Sequence, residues 1–227
     1  MSPLRPGLYG IADSGFGDPV VLGRLLLSAG AVAVQLRCKG WGQDDVAAAL
    51  RALRGPCREA GVPLIVNDYA ALAGLCDGVH LGQGDGAFPP SARVRGRSTH
   101  SLEDLAAAEA EGVDYVGFGP VYGTTTKPDA RSRRGVEALA EVCAAARAPV
   151  VAIGGITLNR REEVFAAGAR VCGGDRRGVW RGGSLGGGAG VWAVGSPFQR
   201  PTKEANVEEQ AHFFVTSRPR RHHEPTH

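Results

Sequence analysis

The stretch PLIVNDYAALAGLCDGVHLGQ, residues 63–83, contains two short apolar runs, PLIVND and GVHLGQ. Each run has the length of a buried strand and is too short for an ordinary helix. Polar residues stand at the end of each run: Asn67 and Asp68 in the first, Gln83 in the second. The stretch therefore predicts two strands that follow each other in the chain and carry polar side chains at their carboxyl ends.

The same pattern continues on both sides of this stretch. Apolar runs predict strands at residues 7–13, 31–39, 63–68, 78–83, 97–100, 114–122 and 149–156. Helical spacing predicts helices at residues 19–29, 44–60, 102–111, 136–147 and 159–167, with Ser101 and Asn159 as N-caps. Regular alternation of strand and helix indicates a parallel sheet. Seven strands favour an α/β fold of the TIM-type (β/α)8 barrel class, and an open doubly wound sheet is the alternative.

The sequence changes character at residue 171. The last 57 residues hold ten of the 34 glycines and two of the three tryptophans, and they end in RPRRHHEPTH. We therefore expect the eighth β/α unit to be doubtful or missing, with a barrel domain at residues 1–170 and an atypical Gly/Arg-rich segment at residues 171–227. One hypothesis is that the coding frame changes near Arg170, which would leave this segment poorly ordered.

Composition excludes several classes of function. Residues 1–170 carry 18 basic and 18 acidic side chains, so the net charge of +3 comes from the C-terminal segment. This balance argues against a nucleic-acid partner. No apolar run approaches the roughly 20 residues that span a membrane, and no signal peptide is evident at the start. The five cysteines lack zinc or CxxC spacing, so we expect reduced thiols and a cytoplasmic location.

The predicted strand ends carry the chemistry of a phosphate site. Arg37, Lys39 and Lys127 offer positive charge, and Asp68 and Asp85 are oxygen ligands of the kind that Mg²⁺ takes alongside phosphate. Hydroxyl donors at 124–126 and a Gly154–Gly155 pair follow two later strands. Simpler interpretations stay open: Arg37 and Lys39 as solvated charges, Asp68 as a helix cap, Asp85 as a turn residue and His80 as a core histidine.

Six motifs, in this order along the chain, are similar to those of the thiamine phosphate synthases. They are QLRCK (35–39), ND (67–68), GVHLGQGD (78–85), STHS (98–101), DYVGFGPVYGTTTK (114–127) and VAIGGI (151–156). The resemblance covers about residues 7–170. It implies a transferase that condenses hydroxymethylpyrimidine diphosphate with thiazole phosphate, releasing pyrophosphate and forming thiamine phosphate.

The resemblance also implies a role for each matching residue. Asp68 and Asp85 would bind Mg²⁺, and Arg37, Lys39 and Lys127 would stabilise the departing pyrophosphate. The pyrimidine substrate would be held by Gln35, Arg37, Lys39, Asn67, Ser98 and Lys127, and the thiazole phosphate by Thr124, Thr126, Gly154 and Gly155.

Two other functions remain open from the sequence. A thiazole tautomerase, a related barrel, would use His100 as an acid–base group and would need no metal. A non-catalytic protein that binds phosphorylated thiazole would result if the unusual C-terminal segment prevented turnover, because the family places part of the thiazole phosphate site after the eighth strand.

Overall fold

Eight parallel strands pair in chain order and close into a barrel. The structure is a computed structural model that describes residues 4–123 and 134–174. The strands are β1 (Gly7–Asp13), β2 (Ala33–Arg37), β3 (Leu64–Asn67), β4 (Gly78–Leu81), β5 (Val94–Thr99), β6 (Tyr115–Phe118), β7 (Val150–Ala152) and β8 (Val171–Gly174). The (β/α)8 barrel predicted from the alternating pattern is confirmed.

Five α-helices lie in the described ranges. They are α1 (Pro19–Ser28), α2 (Gln43–Glu59), α3 (Leu102–Ala110), α4 (Gly135–Ala145) and α5 (Arg161–Ala166). Short 3-10 helices at Ser14–Phe16, Ala70–Leu75 and Leu158–Arg160 complete the connections. None of the helices in these ranges is long and apolar enough to cross a membrane.

Local sequence explains where the helices begin. The Asp18 carboxylate accepts hydrogen bonds from the Val20 and Val21 amides at 2.7 and 3.2 Å, which satisfies two of the free N–H groups at the start of α1. Ser101 caps α3 as predicted, with its hydroxyl accepting from the Asp104 amide at 3.1 Å. The predicted Asn159 cap is wrong, because Asn159 lies inside a 3-10 helix and α5 begins two residues later.

The eighth strand, which the sequence indicated to be doubtful or missing, is present. Val171 and Cys172 pair with β7, and Val171–Gly174 pair with β1, so β8 closes the sheet on both sides. Val171 is fully buried, and its burial together with the paired backbone explains why four residues suffice. The barrel therefore extends beyond the predicted boundary at residue 170. The rest of the predicted C-terminal segment lies outside the described residues.

The core has two parts. Tyr9, Ala33, Ile65, Tyr115, Val151 and Val171 are buried together, and the contact between Tyr9 on β1 and Tyr115 on β6 crosses the barrel interior. Alternate residues on the same strands face outward and pack under the helices; Leu36, Val66 and Val79 belong to one such cluster, which also contains the buried side chains of α2. Because of this alternation, the interior-facing residues at the carboxyl ends of the strands gather at one mouth of the barrel.

Candidate active site

Arg37 and Asp13 form an ion pair at the mouth of the barrel. Asp13 ends β1 and is paired in register with Arg37, which ends β2. The Arg37 guanidinium donates to Asp13 Oδ2, and both side chains are largely buried, at 14% and 8% exposure. The interpretation of Arg37 as a solvated charge is therefore wrong. Asp13 holds the Arg37 guanidinium at the end of β2. A guanidinium has five N–H donors, so Arg37 can still donate to a ligand at the mouth.

Lys39 and Asp68 lie next to this pair. Lys39 follows the end of β2, and its Nζ is 3.9 Å from Asp68 Oδ2. The loop that carries Lys39 is tied down by Tyr69, whose hydroxyl donates to the carbonyls of Cys38 and Trp41 at 2.9 and 2.8 Å. The lysine is 63% exposed, so its ammonium is available at the mouth of the barrel.

Asp68 has an unusual backbone and an unusual environment. Its φ angle of 70° is in the left-handed region, which non-glycine residues rarely adopt. Partial burial raises the pKa of this carboxyl, whose side chain is still 38% exposed, and the nearby negative charge of Asp85 raises it further; Lys39, Arg37 and a hydrogen bond from Asn67 act in the opposite direction. Backbone strain and an unfavourably placed charge together are typical of a functional residue.

Asn67 and Asp85 complete the group. Asn67 Nδ2 donates to Asp68 Oδ1 and, at 3.3 Å, to the His80 carbonyl, which aims the neighbouring carboxylate. Asp85 Oδ2 accepts the Gly82 amide at 2.6 Å, so the turn role foreseen for Asp85 is present. The same carboxylate has a second oxygen to offer a cation.

The donor set fits Mg²⁺. Asp85 is near enough for its negative charge to raise the pKa of Asp68. The described ranges contain no cluster of three or more His, Cys, Asp or Glu side chains suited to a metal. Two carboxylates are too few for a closed zinc site, but they suit Mg²⁺, which keeps several waters and takes further oxygens from a substrate phosphate.

A network of side-chain hydrogen bonds crosses the barrel interior below the mouth; we call it the interior network. Gln35 Nε2 donates to the Tyr9 hydroxyl at 3.0 Å, and the Tyr9 and Tyr115 hydroxyls are 2.6 Å apart. Tyr115 Oη is 3.0 Å from His80 Nδ1, and His80 Nε2 is 2.9 Å from Ser98 Oγ. His80 is a buried, hydrogen-bonded histidine, as predicted. The interior network orients Gln35 and Ser98, two residues predicted to bind substrate.

Of the other predicted residues, His100 lies in the part of the chain that the structure describes. His100 follows β5, and its Nδ1 contacts the Gly119 carbonyl, which requires the proton on Nδ1 because a carbonyl only accepts. Thr124, Thr126 and Lys127 lie outside the described residues.

Gly154 and Gly155 are required by packing. Their φ angles are 99° and 62°, and a Cβ on Gly155 would lie 2.6 Å from the Gly123 carbonyl oxygen. A Cβ on Gly154 would lie 2.6 Å from Pro120 Cβ. The two glycines thus let the loop after β7 lie against the loop after β6, and these are the loops for which the family resemblance implies contact with the thiazole phosphate.

A cavity of about 620 Å³ lies between the loop after β4 and helix α3. Of the predicted site residues that the structure describes, only Asp85 and Ser98 line this cavity, and Gln83 lines it beside them. The charged groups Arg37, Lys39 and Asp68 are not part of this lining. We place the candidate site at the barrel mouth because the charges that could hold a diphosphate meet there.

Sequence reasoning missed Asp13, Tyr9 and Tyr115. Asp13 had a signal, since it ends the run GLYGIAD in the same way that Asn67 and Asp68 end PLIVND. The tyrosines had none, because they are separated by 106 residues and meet only across the closed barrel.

The closed parallel barrel, with basic and acidic side chains gathered at the carboxyl ends of its strands, places this protein in the (β/α)8-barrel class. The model of one family, described as thiamine monophosphate synthase, matches residues 8–173. This chain belongs to that family.

Individual relatives and a solved structure support the same family. The thiamine-phosphate synthase of Methanoregula boonei is 38% identical over 177 residues, which is 73% of this chain and 82% of that protein. That of Anaeromyxobacter dehalogenans is 42% identical over 171 residues, 72% of this chain and 76% of the other. Among solved structures, a thiamine phosphate pyrophosphorylase from Pyrococcus furiosus has a TM-score of 0.69 and 32% identity, covering 77% of this chain and 86% of that one. These matches confirm the resemblance that the motifs indicated.

Proposed function

We propose that this chain acts as a thiamine-phosphate synthase, joining hydroxymethylpyrimidine diphosphate and thiazole phosphate with loss of pyrophosphate. The observation that carries the proposal is the meeting of Arg37 and Lys39 with the carboxylates Asp68 and Asp85 at one barrel mouth. Cations beside a pair of carboxylates form a site for a diphosphate and a divalent metal. Membership of the family supports the same reaction.

In this proposal the cations act on the leaving group. Negative charge builds on the pyrophosphate as its bond to the pyrimidine methylene breaks, and preformed positive charge lowers the barrier most where that charge develops. Arg37 presents a fork of N–H donors whose orientation is set by Asp13. Lys39 lies beside it as an exposed point charge. Lys127 is proposed as a third cation.

Asp68 and Asp85 would hold Mg²⁺, and the bound ion would neutralise diphosphate oxygens in the ground state and during departure. Asn67 aims the Asp68 carboxylate through its Nδ2. Its remaining carbonyl oxygen is an acceptor suited to the amino group of the pyrimidine.

The pyrimidine would be held between Gln35 and Ser98, which are hydrogen-bonded to the two ends of the interior network. The thiazole phosphate would lie over the loops after β6 and β7, against Thr124, Thr126 and the Gly154–Gly155 backbone. Holding the two substrates in line converts their reaction into an effectively unimolecular one. No enzyme nucleophile is needed, because the thiazole nitrogen attacks directly.

The segment after β8 is proposed to limit activity. The family match ends at residue 173, just after the change of composition at residue 171. In (β/α)8 barrels the loops after strands seven and eight commonly form a phosphate site. We therefore propose that residues 175–227 depart from the family and weaken thiazole phosphate binding.

A cytoplasmic location is proposed on the state of the cysteines. All five are free thiols, four of them buried, as expected for a protein of a reducing compartment.

A product assay tests the function. The purified 227-residue chain is mixed with both substrates and Mg²⁺, and thiamine phosphate is measured with and without EDTA. We expect product that requires the metal and is lost in Asp68→Asn, whereas the matched surface variant Asp44→Asn keeps it. Product that persists in EDTA would contradict the metal site.

A chimera resolves a negative result. It joins residues 1–174 to the corresponding C-terminal segment of the Methanoregula boonei synthase. Product from the chimera alone would show a competent barrel limited by its C-terminal segment, as the non-catalytic alternative requires. Product from neither protein would contradict the proposal, and metal-independent isomerisation of a thiazole phosphate that depends on His100 would replace it with the tautomerase.

A further inference from the structure

Arg97 is a buried arginine on the outer face of β5. Outward-facing residues of a barrel strand normally pack against a helix with apolar side chains. Residues 82–93, all described, join β4 to β5 without a helix, and Arg97 lies where that helix would pack. Only 6% of Arg97 is exposed.

The guanidinium of Arg97 binds the loop that replaces the helix. Nη1 donates to the carbonyls of Gly82 and Asp85 at 2.9 and 2.7 Å, and Nη2 donates to the Gly86 carbonyl at 3.1 Å. Nε donates to Glu111 Oε2 at 3.1 Å, and the guanidinium carbon lies 4.7 Å from the centre of the Phe88 ring. One side chain therefore satisfies three main-chain carbonyls within five residues.

These contacts surround Asp85. The loop contains three glycines, and one of them, Gly84, has a φ of 79°, so its own backbone offers little resistance to rearrangement. The Asp85 carboxylate is fixed by the Gly82 amide, and the Gly82 carbonyl is fixed by Arg97. The position of the carboxylate thus depends on a residue from the outer face of β5.

We propose that Arg97 is a positioning residue that holds the 82–86 loop so that Asp85 faces Asp68 and the two carboxylates can share a divalent cation. This inference rests on the proposed metal site. The competing explanation is a purely structural ion pair between Arg97 and Glu111, whose carboxylate side chain is 41% exposed.

The charge of Arg97 makes the two explanations separable. Removing a positive charge near a cation site would by itself tighten binding of the cation, because repulsion is lost. Releasing the loop would weaken binding, because one ligand would no longer be held in place. Partners that orient metal ligands typically account for 10- to 100-fold in metal affinity.

The experiment measures Mn²⁺ binding to the full chain by the electron paramagnetic resonance signal of free Mn²⁺, without substrates. We expect Arg97→Met to raise the Kd about 10-fold. Arg93→Met is the matched control, since Arg93 lies on the same connection but is 70% exposed and pairs with Asp77. It should leave the Kd unchanged, as should Glu111→Gln, which keeps the three carbonyl contacts.

Asp85→Asn separates the two proposals. If Asp85→Asn leaves the Kd unchanged, the metal site itself is wrong. If it weakens binding and Arg97→Met does not, or if Glu111→Gln weakens binding as much as Arg97→Met, the positioning role is wrong. Arg97→Met added to Asp85→Asn should cause no further loss. Arg97→Lys, which keeps the charge but not the fork, provides the test if Arg97→Met does not fold, and we expect it to weaken binding.

Discussion

The negative charge of Asp68 lies in an environment that raises the pKa of its carboxyl, and its backbone has a φ of 70°. Burial is the main cause of its raised pKa, and the charge of Asp85 adds to it. A carboxyl whose pKa is higher in the folded state contributes stability at low pH and loses it as the pH rises through that pKa. At neutral pH the ionised Asp68 therefore destabilises the fold, as is common for residues kept for function.

We predict that Asp68→Asn stabilises the protein while abolishing metal-dependent activity. Asparagine removes the charge, keeps an oxygen for the Asn67 amide and tolerates a positive φ. The melting temperature at pH 7 should rise by roughly 1–3 °C. The gain should shrink as the pH falls toward the range in which wild-type Asp68 is protonated. A melting temperature below that of wild type at pH 7 would contradict this account, with Glu141→Gln, an exposed position in the interior of α4, as the neutral control.

Asp13 is predicted to act through Arg37. Asp13→Asn leaves a largely buried guanidinium without its carboxylate, so Arg37 should turn away from the mouth. We expect kcat/KM to fall by about 10-fold or more, with a lower kcat as well as a higher KM for the diphosphate substrate, because Arg37 is proposed both to bind the diphosphate and to stabilise the charge that develops on it. Asp18→Asn is the control, because Asp18 caps α1 nearby and its amide would still cap. Equal loss in both variants would point to general disruption of this loop.

At the scale of elements, the loops after β6 and β7 depend on each other. The Tyr122 amide donates to the Gly154 carbonyl at 3.0 Å, and the Arg160 guanidinium donates to Gly155 and lies over the Tyr122 ring at 4.2 Å. The geometry of the proposed thiazole phosphate side is therefore set by contact between two loops.

We predict that Gly155→Ala lowers the free energy of unfolding by about 1–3 kcal/mol, because it combines a φ of 62° with a Cβ placed 2.6 Å from the Gly123 carbonyl oxygen. Gly74→Ala is the matched control, since no atom lies within 4 Å of its added Cβ. Urea denaturation measures both. Equal stability of the two variants would show that the loops rearrange at no cost.

The elements also show where sequence patterns fail. β1 begins and ends where the run GLYGIAD predicted. β8 was missed because two of its four residues are glycine and because it runs directly into the Gly/Arg-rich segment. It lacks the longer apolar run that marked the other short strands, and pairing with both β1 and β7 is what stabilises it.

At the scale of the whole molecule, burial keeps the thiols unreactive. It raises the pKa of Cys38, Cys57, Cys76 and Cys143 to about 11, and that of Cys172 to about 12. Because the thiolate is the reactive form, only a very small fraction of each thiol is reactive at pH 8.

We predict that the native protein reacts slowly with an aromatic disulfide reagent at pH 8, and that all five cysteines react rapidly in guanidinium chloride. The native rate should rise about tenfold per pH unit as the pH approaches 10, because the thiolate fraction does. Glutathione serves as the exposed reference thiol. A native cysteine that reacts as fast as glutathione would show that the barrel opens far more readily than its packing indicates.

The sequence by itself determined the alternation of strands and helices, the class of barrel and the polar residues at the strand ends. These properties follow from short-range periodicity and from where each strand stops, and both can be read along the chain. The tertiary structure alone decided that Asp13 pairs with Arg37, that Tyr9 meets Tyr115, that Arg97 holds the loop of Asp85 and that β8 closes the barrel. Each of these depends on residues far apart in sequence, which only the curvature and closure of the sheet bring into contact.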